Sequence, residues 1–360
     1  MTHQRNTATV IDHHTVHQPI DGYHGPRVAF LKEVIHITGE AELAMVRKRR
    51  ADGGARAGTL LLVHGFGQNR YAWHLPGRSL VNFLAGAGWD VFNLDLRGHG
   101  RSRALGSRAC GELDAYIHRD VPTALDVALG RSGHRRAFLV GHSLGGLLGY
   151  AAAPSLGTHL AGLVTIGAPY AFGRGNRVLL EAARALLFAT SFAARSTGLP
   201  MRVFQAWFQR QRALWDLPGV PFPVRAWHPR SFEPVILEEY LRLSFDRATL
   251  GELAHTVASG TVGRFTSSDG SIDYARVWEA ADLPSLVIAG TRDLLAPVAS
   301  VRPAYDRSRA RDRTYHEVPL GHGDLLLGRE APSLTWPLLA SWLARRAARC
   351  TEGDGSDGGR

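Results

Sequence analysis

Apolar runs alternate along the chain with amphipathic segments, and this alternation predicts the fold. Helical periodicity is expected over residues 80–87, 113–129, 144–153 and 298–308. These segments separate most of six strand-like runs, five of them nearly uninterrupted in apolar character, as for strands buried on both faces. The runs are TLLLVHG, WDVFNLDLRG, AFLVGHS, LAGLVTIGAP, LPSLVIAGTRD and the more polar RTYHEVPLGHG. The pattern predicts an α/β protein with an open, mostly parallel sheet covered by helices on both faces.

The same pattern divides the chain into segments. Two further strand-like runs, 28–37 and 43–49, are expected to pair antiparallel at the start of the sheet. The alternation stops once, in a stretch of helical period that is rich in arginine and aromatic residues, including Trp207, Trp215 and Trp227. We interpret this stretch as a cap over the active edge of the sheet. The predicted segments are a flexible histidine-rich leader (1–27), the first part of the core (28–170), a helical cap (171–265), the second part of the core (266–346) and a disordered tail (347–360).

The formal net charge of +10 is carried almost wholly by arginine, since Lys32 and Lys48 are the only lysines. A basic surplus can indicate a nucleic acid or an anionic membrane surface as partner. The arginines are scattered among small and apolar residues without a recognisable nucleic-acid motif. Compositional bias is therefore the favoured explanation, and no nucleic-acid partner is expected. A weak attraction to acidic surfaces stays open.

Cysteine content and the termini bear on the cellular compartment. Cys110 and Cys350 are the only cysteines, which is too few for a disulfide framework. The N-terminus lacks the apolar region of a signal peptide. The most apolar helical run, 178–194, is interrupted by Glu181 and Arg184, so no integral membrane span is expected. A cytoplasmic protein is the default expectation.

The leader contains a group of histidines, which are common metal ligands. No carboxylate or cysteine set completes a recognisable metal site at ligand spacing, and a flexible leader is the favoured interpretation. The histidines concerned are His3, His13, His14, His17 and His24.

The segment VGHSLGG at 140–146 predicts a nucleophile. A strand ends in Gly-X-Ser-X-Gly and a helix begins at once, and Gly141 and Gly145 permit the tight turn between them. Such a turn exposes the Ser143 hydroxyl at the positive end of the following helix. The pentapeptide alone is a moderate signal in a glycine-rich chain, and the strand–turn–helix context strengthens it.

A serine hydroxyl needs a base, and the base needs an acid that orients it. His322 in VPLGHGDLL is the expected base, because it follows a late strand between two glycines. Asp293 in VIAGTRDLLAP is the expected acid, because it lies at the end of the predicted parallel strand LPSLVIAGTRD. Asp324, close behind His322, could bias the ring but is not expected to belong to the triad. The residues set aside are His64, His99, His142 and His316 among the histidines, and Asp306 and Asp312 among the aspartates.

Acyl chemistry also requires backbone N–H donors for an oxyanion. Leu144, the residue after the serine, is one expected donor. The other is Phe66, in the glycine-rich loop LLVHGFGQN after the first parallel strand.

Taken together, HGFGQ, DLRGHGRS, GHSLGG, GTRDLLAP and GHGDLL resemble the α/β-hydrolase superfamily in order and spacing, over roughly 58–170 and 265–346. The resemblance implies the α/β-hydrolase fold, a mostly parallel central sheet flanked by helices with an inserted helical cap. It also implies that Arg97 and Arg101, in DLRGHGRS, are structural.

A weaker likeness links LPGRSLVNFLAGAGWDVFNLDLRGHG and GHGDLLLG to the branch of polyhydroxyalkanoate synthases and acid lipases. The synthases carry a cysteine nucleophile where this chain has Ser143. This departure argues for hydrolysis, because water then competes for the acyl-enzyme. The branch likeness suggests an ester with an apolar acyl group.

The leading hypothesis is a serine hydrolase that cleaves a small-molecule carboxylic ester through an acyl-enzyme on Ser143, with no metal or organic cofactor. Acyl transfer or amide cleavage by the same triad stays open. The alternative from another class is a catalytically silent α/β-hydrolase scaffold that binds a ligand or a protein. The sequence specifies no oligomeric state.

Overall fold

A computed structural model of the chain describes residues 6–39, 42–54, 57–199, 201–218, 225–261 and 265–351. These residues form a nine-stranded sheet and a separate two-stranded ribbon, with helices between them. The strands are β1 (Thr7–Pro19), β2 (Arg27–Thr38), β3 (Leu43–Arg50), β4 (Gly58–Val63), β5 (Trp89–Asp95), β6 (Ala137–His142), β7 (Leu160–Ile166), β8 (Gly198–Leu199), β9 (Ala248–Thr249), β10 (Ser285–Gly290) and β11 (Arg313–Val318).

Fifteen α-helical segments lie in the described residues. They are α1 (Leu80–Gly86), α2 (Gly100–Ala104), α3 (Leu113–Ala115), α4 (Val121–Ser132), α5 (Leu144–Leu156), α6 (Arg177–Ala189), α7 (Met201–Arg210), α8 (Arg212–Trp215), α9 (Pro234–Glu239), α10 (Leu250–Thr261), α11 (Tyr274–Ala280), α12 (Val298–Val301), α13 (Pro303–Asp306), α14 (Asp324–Leu327) and α15 (Thr335–Ala344). Single π-helical turns occupy Tyr116–Asp120 and Tyr240–Ser244, and 3₁₀ turns occupy Arg70–Ala72, Gly157–His159 and Ala347–Cys350.

The large sheet has the strand order β1-β2-β3-β5-β4-β6-β7-β10-β11. Strands β5, β4, β6, β7, β10 and β11 run parallel, and β1, β2 and β3 continue the sheet antiparallel. The parallel strands correspond to the six runs identified in the sequence, so the α/β class and the mostly parallel sheet are confirmed. Their carboxyl ends meet at one edge, where open α/β sheets bind ligands.

The apolar runs are uninterrupted because each parallel strand packs against helices on both sides. In β4, Leu60 and Leu62 belong to a core layer with α1 and α15, whereas Leu61 and Val63 belong to the opposite layer with α4 and α5. Successive side chains of a strand point to opposite faces, so the odd and the even positions must both be apolar where both faces are covered.

The N-terminal segment differs from the expected flexible leader. Residues 7–19 form β1, a 13-residue strand that pairs antiparallel with β2 along its whole length. Most of its side chains are exposed or half-buried, as suits an edge strand. Six of its residues are β-branched, which favours an extended chain and was the available signal. Residues 1–5 of the predicted leader lie outside the described part of the chain.

The C-terminal segment also differs from the expectation in its first residues. Ala347–Cys350 form a 3₁₀ turn, and the Cys350 side chain is fully buried in the core layer that contains α15. The space for it exists because Gly58 has no side chain: a Cβ there would lie 2.7 Å from the Cys350 sulfur. Residues 352–360 of the predicted tail lie outside the described residues.

The stretch predicted as a cap contains helices α6–α10 and the ribbon of β8 and β9. Its aromatic residues pack on one another: the rings of Trp207 and Trp215 are 4.8 Å apart, and Phe208 lies 6.0 Å from Trp227. Trp227 belongs to the core layer that contains α1 and α15, and Phe208 and Trp215 pack against that layer. That the insertion acts as a cap over the site stays a prediction.

Candidate active site

Ser143 stands in a sharp turn between β6 and α5. Its backbone has φ 53° and ψ −121°, a conformation that residues other than glycine rarely adopt. The neighbouring glycines make this turn possible. A Cβ at Gly145 would lie 2.2 Å from the Val63 carbonyl oxygen, and one at Gly141 would lie 2.4 Å from the Gly145 backbone. The local sequence therefore produces a strained strand-to-helix turn with a half-buried serine at its tip.

His322 and Asp293 lie side by side at the same edge of the sheet. The chain reaches Asp293 three residues after β10 and His322 four residues after β11, and these two strands are parallel neighbours. The His322 Nδ1 donates to Asp293 Oδ2 at 2.7 Å, and both side chains are buried. The other carboxylate oxygen, Oδ1, accepts from the backbone N–H groups of Leu295 and Ala296 at 2.8 Å each. The Asp293 carboxylate is thus held in place, and with Nδ1 protonated the His322 Nε2 is the ring nitrogen that can accept a proton.

Gly167 allows these groups to approach one another. It follows β7, the strand between β6 and β10, and has φ 56°. A Cβ there would lie 3.2 Å from Asp293 Oδ2 and 3.4 Å from His322 Nδ1. A side chain at this position would therefore press on the pair.

Ser143 follows β6, which lies next to β7 in the sheet. Among the described residues, no hydrogen bond joins its hydroxyl to His322. The backbone fixes the relation instead, because Ser143 N–H donates to the Ile166 carbonyl at 3.0 Å, one residue before Gly167. Contacts of this kind are often long without substrate and shorten in the reactive complex.

His142, set aside as a base, supports the loop that carries His322. It is fully buried, and its Nε2 donates to the His322 backbone carbonyl at 3.1 Å. The two imidazole rings are 4.6 Å apart. Burial holds the His142 pKa well below its ordinary value, with the charge of His322 acting in the same direction. The neutral His142 side chain therefore supports the backbone of His322, the expected base, through this hydrogen bond.

Phe66 lies in the loop after β4, and its neighbour Gly65 comes close to Ser143. A Cβ on Gly65 would lie 2.9 Å from the Ser143 Cβ, so the loop and the turn are in close contact. Gly67 has φ 61° and turns the chain after Phe66. Within the described part of the chain, neither the Phe66 N–H nor the Leu144 N–H has a hydrogen-bond acceptor. Both expected donors are thus available for an oxyanion.

The loop itself is held by two buried side chains. His64 Nε2 accepts from the Leu96 N–H at 3.2 Å, and its Nδ1 donates to the Gly65 carbonyl at 3.0 Å. Burial lowers the pKa of His64 to about 4, so the ring stays neutral. The Gln68 amide accepts from the Gly65 N–H at 3.3 Å and donates to the Tyr240 hydroxyl at 3.1 Å, which links the loop to the insertion.

Asp324 is more central than sequence reasoning indicated. It is fully buried, and its carboxylate accepts from the Gly321 N–H and the His228 N–H at 2.8 Å each and from the Ser231 hydroxyl at 2.7 Å. Burial raises the pKa of Asp324 to about 7. The carboxylate therefore ties the loop of His322 to the insertion. The available signal was the Asp in GHGDLL, for which the sequence predicted an influence on the His322 ring from outside the triad.

The remaining residues set aside lie away from the pair of His322 and Asp293. His316 is half-buried within β11, and Asp312 forms ion pairs with Arg346 and Arg349 near the C-terminal helix. Arg97 donates from Nε to the buried Asp120 at 2.8 Å. That contact connects the loop after β5 to the π-helical turn before α4.

The described residues contain no group of three or more histidine, cysteine, aspartate or glutamate side chains placed to hold a metal ion. Within the leader histidines, His14 Nδ1 lies 3.1 Å from Asp12 on β1. The arrangement around Ser143 is suited to proton transfer and nucleophilic attack by the protein's own groups.

Comparison with known proteins supports the same assignment of fold. Residues 58–328 match the family model described as alpha/beta hydrolase fold. Epoxide hydrolase B of Mycobacterium tuberculosis is 34% identical over 116 residues, 32% of this chain and 30% of that protein. The polymerase subunit PhaC for poly(3-hydroxyalkanoate) of Haloferax mediterranei is 24% identical over 306 residues, 81% of this chain and 60% of that protein. The matches thus span less than two thirds of either relative.

Solved structures resemble the chain over most of its length. A monoacylglycerol lipase of Paleococcus ferrophilus superposes with a TM-score of 0.58 at 21% identity and covers 85% of this chain and 99% of its own. A thermophilic esterase of Thermogutta terrifontis superposes with a TM-score of 0.56 at 17% identity, covering 93% and 99%. At this identity the resemblance concerns the fold.

Proposed function

Because this chain belongs to the alpha/beta hydrolase fold family, we propose that it is a serine hydrolase that cleaves carboxylic esters through an acyl-enzyme on Ser143. The observation that carries the proposal is that the strained turn at Ser143 ends β6 at the same edge of the sheet as the buried pair of His322 and Asp293. The family contains several hydrolytic chemistries, and this arrangement favours the one that begins with attack by a serine hydroxyl under general-base catalysis.

The proposed reaction starts with proton transfer. His322 Nε2 takes the proton of the Ser143 hydroxyl as the oxygen attacks the ester carbonyl carbon. Asp293 accepts a hydrogen bond from His322 Nδ1, which fixes the ring and stabilises the imidazolium as it forms. The imidazolium then gives its proton to the leaving alcohol, and the carbon–oxygen bond of the ester breaks to leave the acyl group on Ser143.

The negative charge that develops on the carbonyl oxygen requires donors that are already in place. The backbone N–H groups of Phe66 and Leu144 are proposed for this role. Their support is the close approach of the Gly65 loop to Ser143 and the buried hydrogen bonds of His64 and Gln68 that hold that loop. Water, activated by His322, then attacks the acyl-enzyme and releases the acid.

The proposed substrate is a small-molecule ester with an apolar acyl group. Similarity to the PhaC polymerase subunit over 81% of this chain supports acyl chemistry, and a monoacylglycerol lipase and an esterase share the fold. The aromatic residues of the insertion are proposed to select the acyl group, over residues 171–265, while the triad comes from the two parts of the core on either side. Acyl transfer to another alcohol would use the same acyl-enzyme.

A fluorophosphonate probe followed by an ester chain-length series tests this function. We expect covalent labelling at Ser143, loss of labelling in Ser143→Ala and His322→Ala, and turnover of p-nitrophenyl esters with an optimum in acyl length. His316→Ala is the matched control and should keep both. A folded protein that neither labels nor turns over any ester would indicate the silent binding scaffold instead.

A further inference from the structure

Helix α6 presents an apolar face that the described part of the chain does not cover. Val178 is 61% exposed, and Ala182, Ala185 and Ala189 follow it at helical spacing on the same side. Phe188 is 83% exposed, and Phe192, just beyond the helix end, is 89% exposed. Large aromatic side chains are rarely so fully in water in a folded protein, so this face requires an explanation.

The opposite face of α6 is apolar too, and it is already used. Leu179, Leu180, Ala183 and Leu187 pack with α10 and Phe172 in a small core of their own. The exposed ion pair of Glu181 and Arg184, at 2.7 Å, lies on the side of Phe188, four and seven residues before it. The helix thus has a buried apolar face, an outer face of Val178 and alanines, and an edge where Phe188 stands among charged side chains.

The length of α6 decides between spanning a membrane and lying on one. Thirteen residues rise about 20 Å, which is short of the roughly 30 Å hydrocarbon core of a bilayer. No helix among the described residues is long and apolar enough to cross a membrane. An apolar outer face on a short helix fits insertion into the boundary between headgroups and acyl chains.

Charge identifies the kind of surface. Residues 171–218 contain seven arginines against two acidic residues and no lysine. Arg174, Arg177, Arg195 and Arg210 are exposed in this stretch. Val203 and Trp207 on α7 add exposed apolar side chains between these arginines. Basic residues around exposed aromatic and aliphatic side chains are complementary to anionic headgroups over acyl chains.

The beginning of α6 lies beside the proposed active site. Asn176, its N-terminal cap, accepts from the Leu179 N–H at 3.0 Å and donates to the Leu294 carbonyl at 2.6 Å. Leu294 follows Asp293 directly. A surface that holds α6 would therefore also hold the loop of the catalytic acid, and bring the site close to lipid.

We propose that the outer face of α6, with Phe188 and Phe192 and the exposed Arg174, Arg177, Arg195 and Arg210, docks the protein on an anionic phospholipid bilayer. We further infer that the ester is an acyl lipid taken from that bilayer. This second inference deepens the proposed function and rests on it. The docking itself depends only on the exposed face.

Vesicle binding tests the docking without chemistry. The full chain is sedimented with ether-linked phosphatidylcholine vesicles, with or without about one third ether-linked phosphatidylglycerol, so that no ester is present. We expect binding to the anionic vesicles, weaker binding to the neutral ones, and a decrease in binding with added salt. The double variant Phe188→Ser/Phe192→Ser should bind at least about tenfold more weakly.

Two matched controls separate the face from general effects. Ile11→Ser/Val277→Ser removes two exposed apolar side chains outside the insertion, and should bind as the unaltered protein does. Arg177→Gln/Arg195→Gln/Arg210→Gln should lose anionic selectivity, whereas the triple variant Arg27→Gln/Arg311→Gln/Arg345→Gln, with the same net charge, should keep it. Circular dichroism confirms that each variant is folded, and fluorophosphonate labelling of Ser143 reports the proposed active site separately.

The outcomes distinguish the docking from the catalytic function. Binding without labelling at Ser143 would leave the docking standing and remove the hydrolase. Labelling without vesicle binding, or equal losses in the matched controls, would overturn the docking. The protein could also fail to bind vesicles, form a dimer in light scattering and become monomeric in Phe188→Ser/Phe192→Ser. That result would assign the face to a second copy of the chain and would overturn the docking on a bilayer.

Discussion

Ser143 is held at φ 53°, in a region that costs a residue with a side chain about 1–3 kcal/mol. Glycine would adopt the same turn without this strain. We therefore expect Ser143→Gly to raise the free energy of unfolding by about 1 kcal/mol relative to Ser143→Ala, while both variants lose ester turnover. Urea unfolding of the two variants measures the difference. Equal stabilities would mean that the turn is not strained at this residue.

The proposed role of Asp293 as the acid is testable by an isosteric change. In Asp293→Asn the amide favours the wrong imidazole tautomer, because its NH₂ group cannot accept from His322 Nδ1–H. We expect turnover to fall about a thousandfold, with packing retained. Steady-state kinetics with a p-nitrophenyl ester gives the ratio. If Asp306→Asn lowers turnover and Asp293→Asn does not, the acid lies elsewhere.

Asp324 gives a prediction about pH. Its pKa is raised to about 7 in the folded protein, above the ordinary 3.8, so the folded state holds this proton more tightly than the unfolded state does. The stability this contributes is complete below about pH 4 and is lost as pH rises through 7. Asp324→Asn keeps a polar group of the same shape without a charge. We expect the free energy of unfolding of Asp324→Asn to increase relative to that of the unaltered protein as the pH rises from 5 to 8.

The measurement for Asp324 is chemical denaturation at several pH values, with Asp312→Asn as a control, since Asp312 lies in a half-buried ion-pair cluster. Asp324→Ala should in addition lower turnover, because it leaves the Gly321 and His228 N–H groups without their acceptor and loosens the loop of His322. A parallel pH profile for Asp324→Asn and the unaltered protein would contradict this account.

At the scale of elements, the proposal that the insertion selects the acyl group can be tested by substitution. Trp227 is buried and donates from its indole to Asp216 at 3.3 Å, whereas Trp207 is exposed at the edge of the same cluster. We expect alanine at Trp207, Trp215 or Trp227 to shift the preferred acyl length in at least one folded variant, since one methylene changes discrimination by about 1–3 kcal/mol. Labelling of Ser143 by the small fluorophosphonate should change far less. Folded variants that lose labelling would place an essential catalytic group in the insertion.

The sheet elements show why the strands that carry the proposed site can be predicted from the sequence, whereas the contacts that support them cannot. Uninterrupted apolar runs identified β4, β6 and β10, because both faces of these strands are covered. Strand β1 was missed, since an exposed edge strand needs no apolar face and its sequence looks like a polar leader. Periodicity reports burial, and it says little where burial is absent.

At the scale of the whole molecule, a buried lysine makes global stability depend on pH. Lys48 on β3 is buried and donates to Gln18 of β1 and Asn82 of α1 at 2.7 Å each, with no carboxylate among these partners. Burial lowers its pKa to about 7 from 10.5, with Lys32 adding repulsion. The stability this group contributes is complete above about pH 10 and is lost as pH falls through 7.

We therefore expect the free energy of unfolding to rise by about 1 kcal/mol per pH unit between pH 7 and pH 10 from this group alone. Lys48→Met should remove that slope. Urea titrations at pH 7, 8, 9 and 10 on both proteins give the comparison, and Lys32→Met serves as the lysine control because Lys32 is only half-buried. A slope that survives in Lys48→Met would assign the effect to other groups.

The sequence by itself determined the α/β class, the parallel strands and the strand–turn–helix around Ser143, because apolar periodicity and glycine placement are local properties. It also nominated His322 and Asp293 from their places after late strands. Tertiary structure decided the contacts that join distant residues. Asp324 meets His228 across 96 positions, and His142 supports the His322 carbonyl across 180. It also decided that the outer face of α6 is left exposed. Spacing along a chain reports which side of an element is apolar, but only the packed fold determines what, if anything, covers that side.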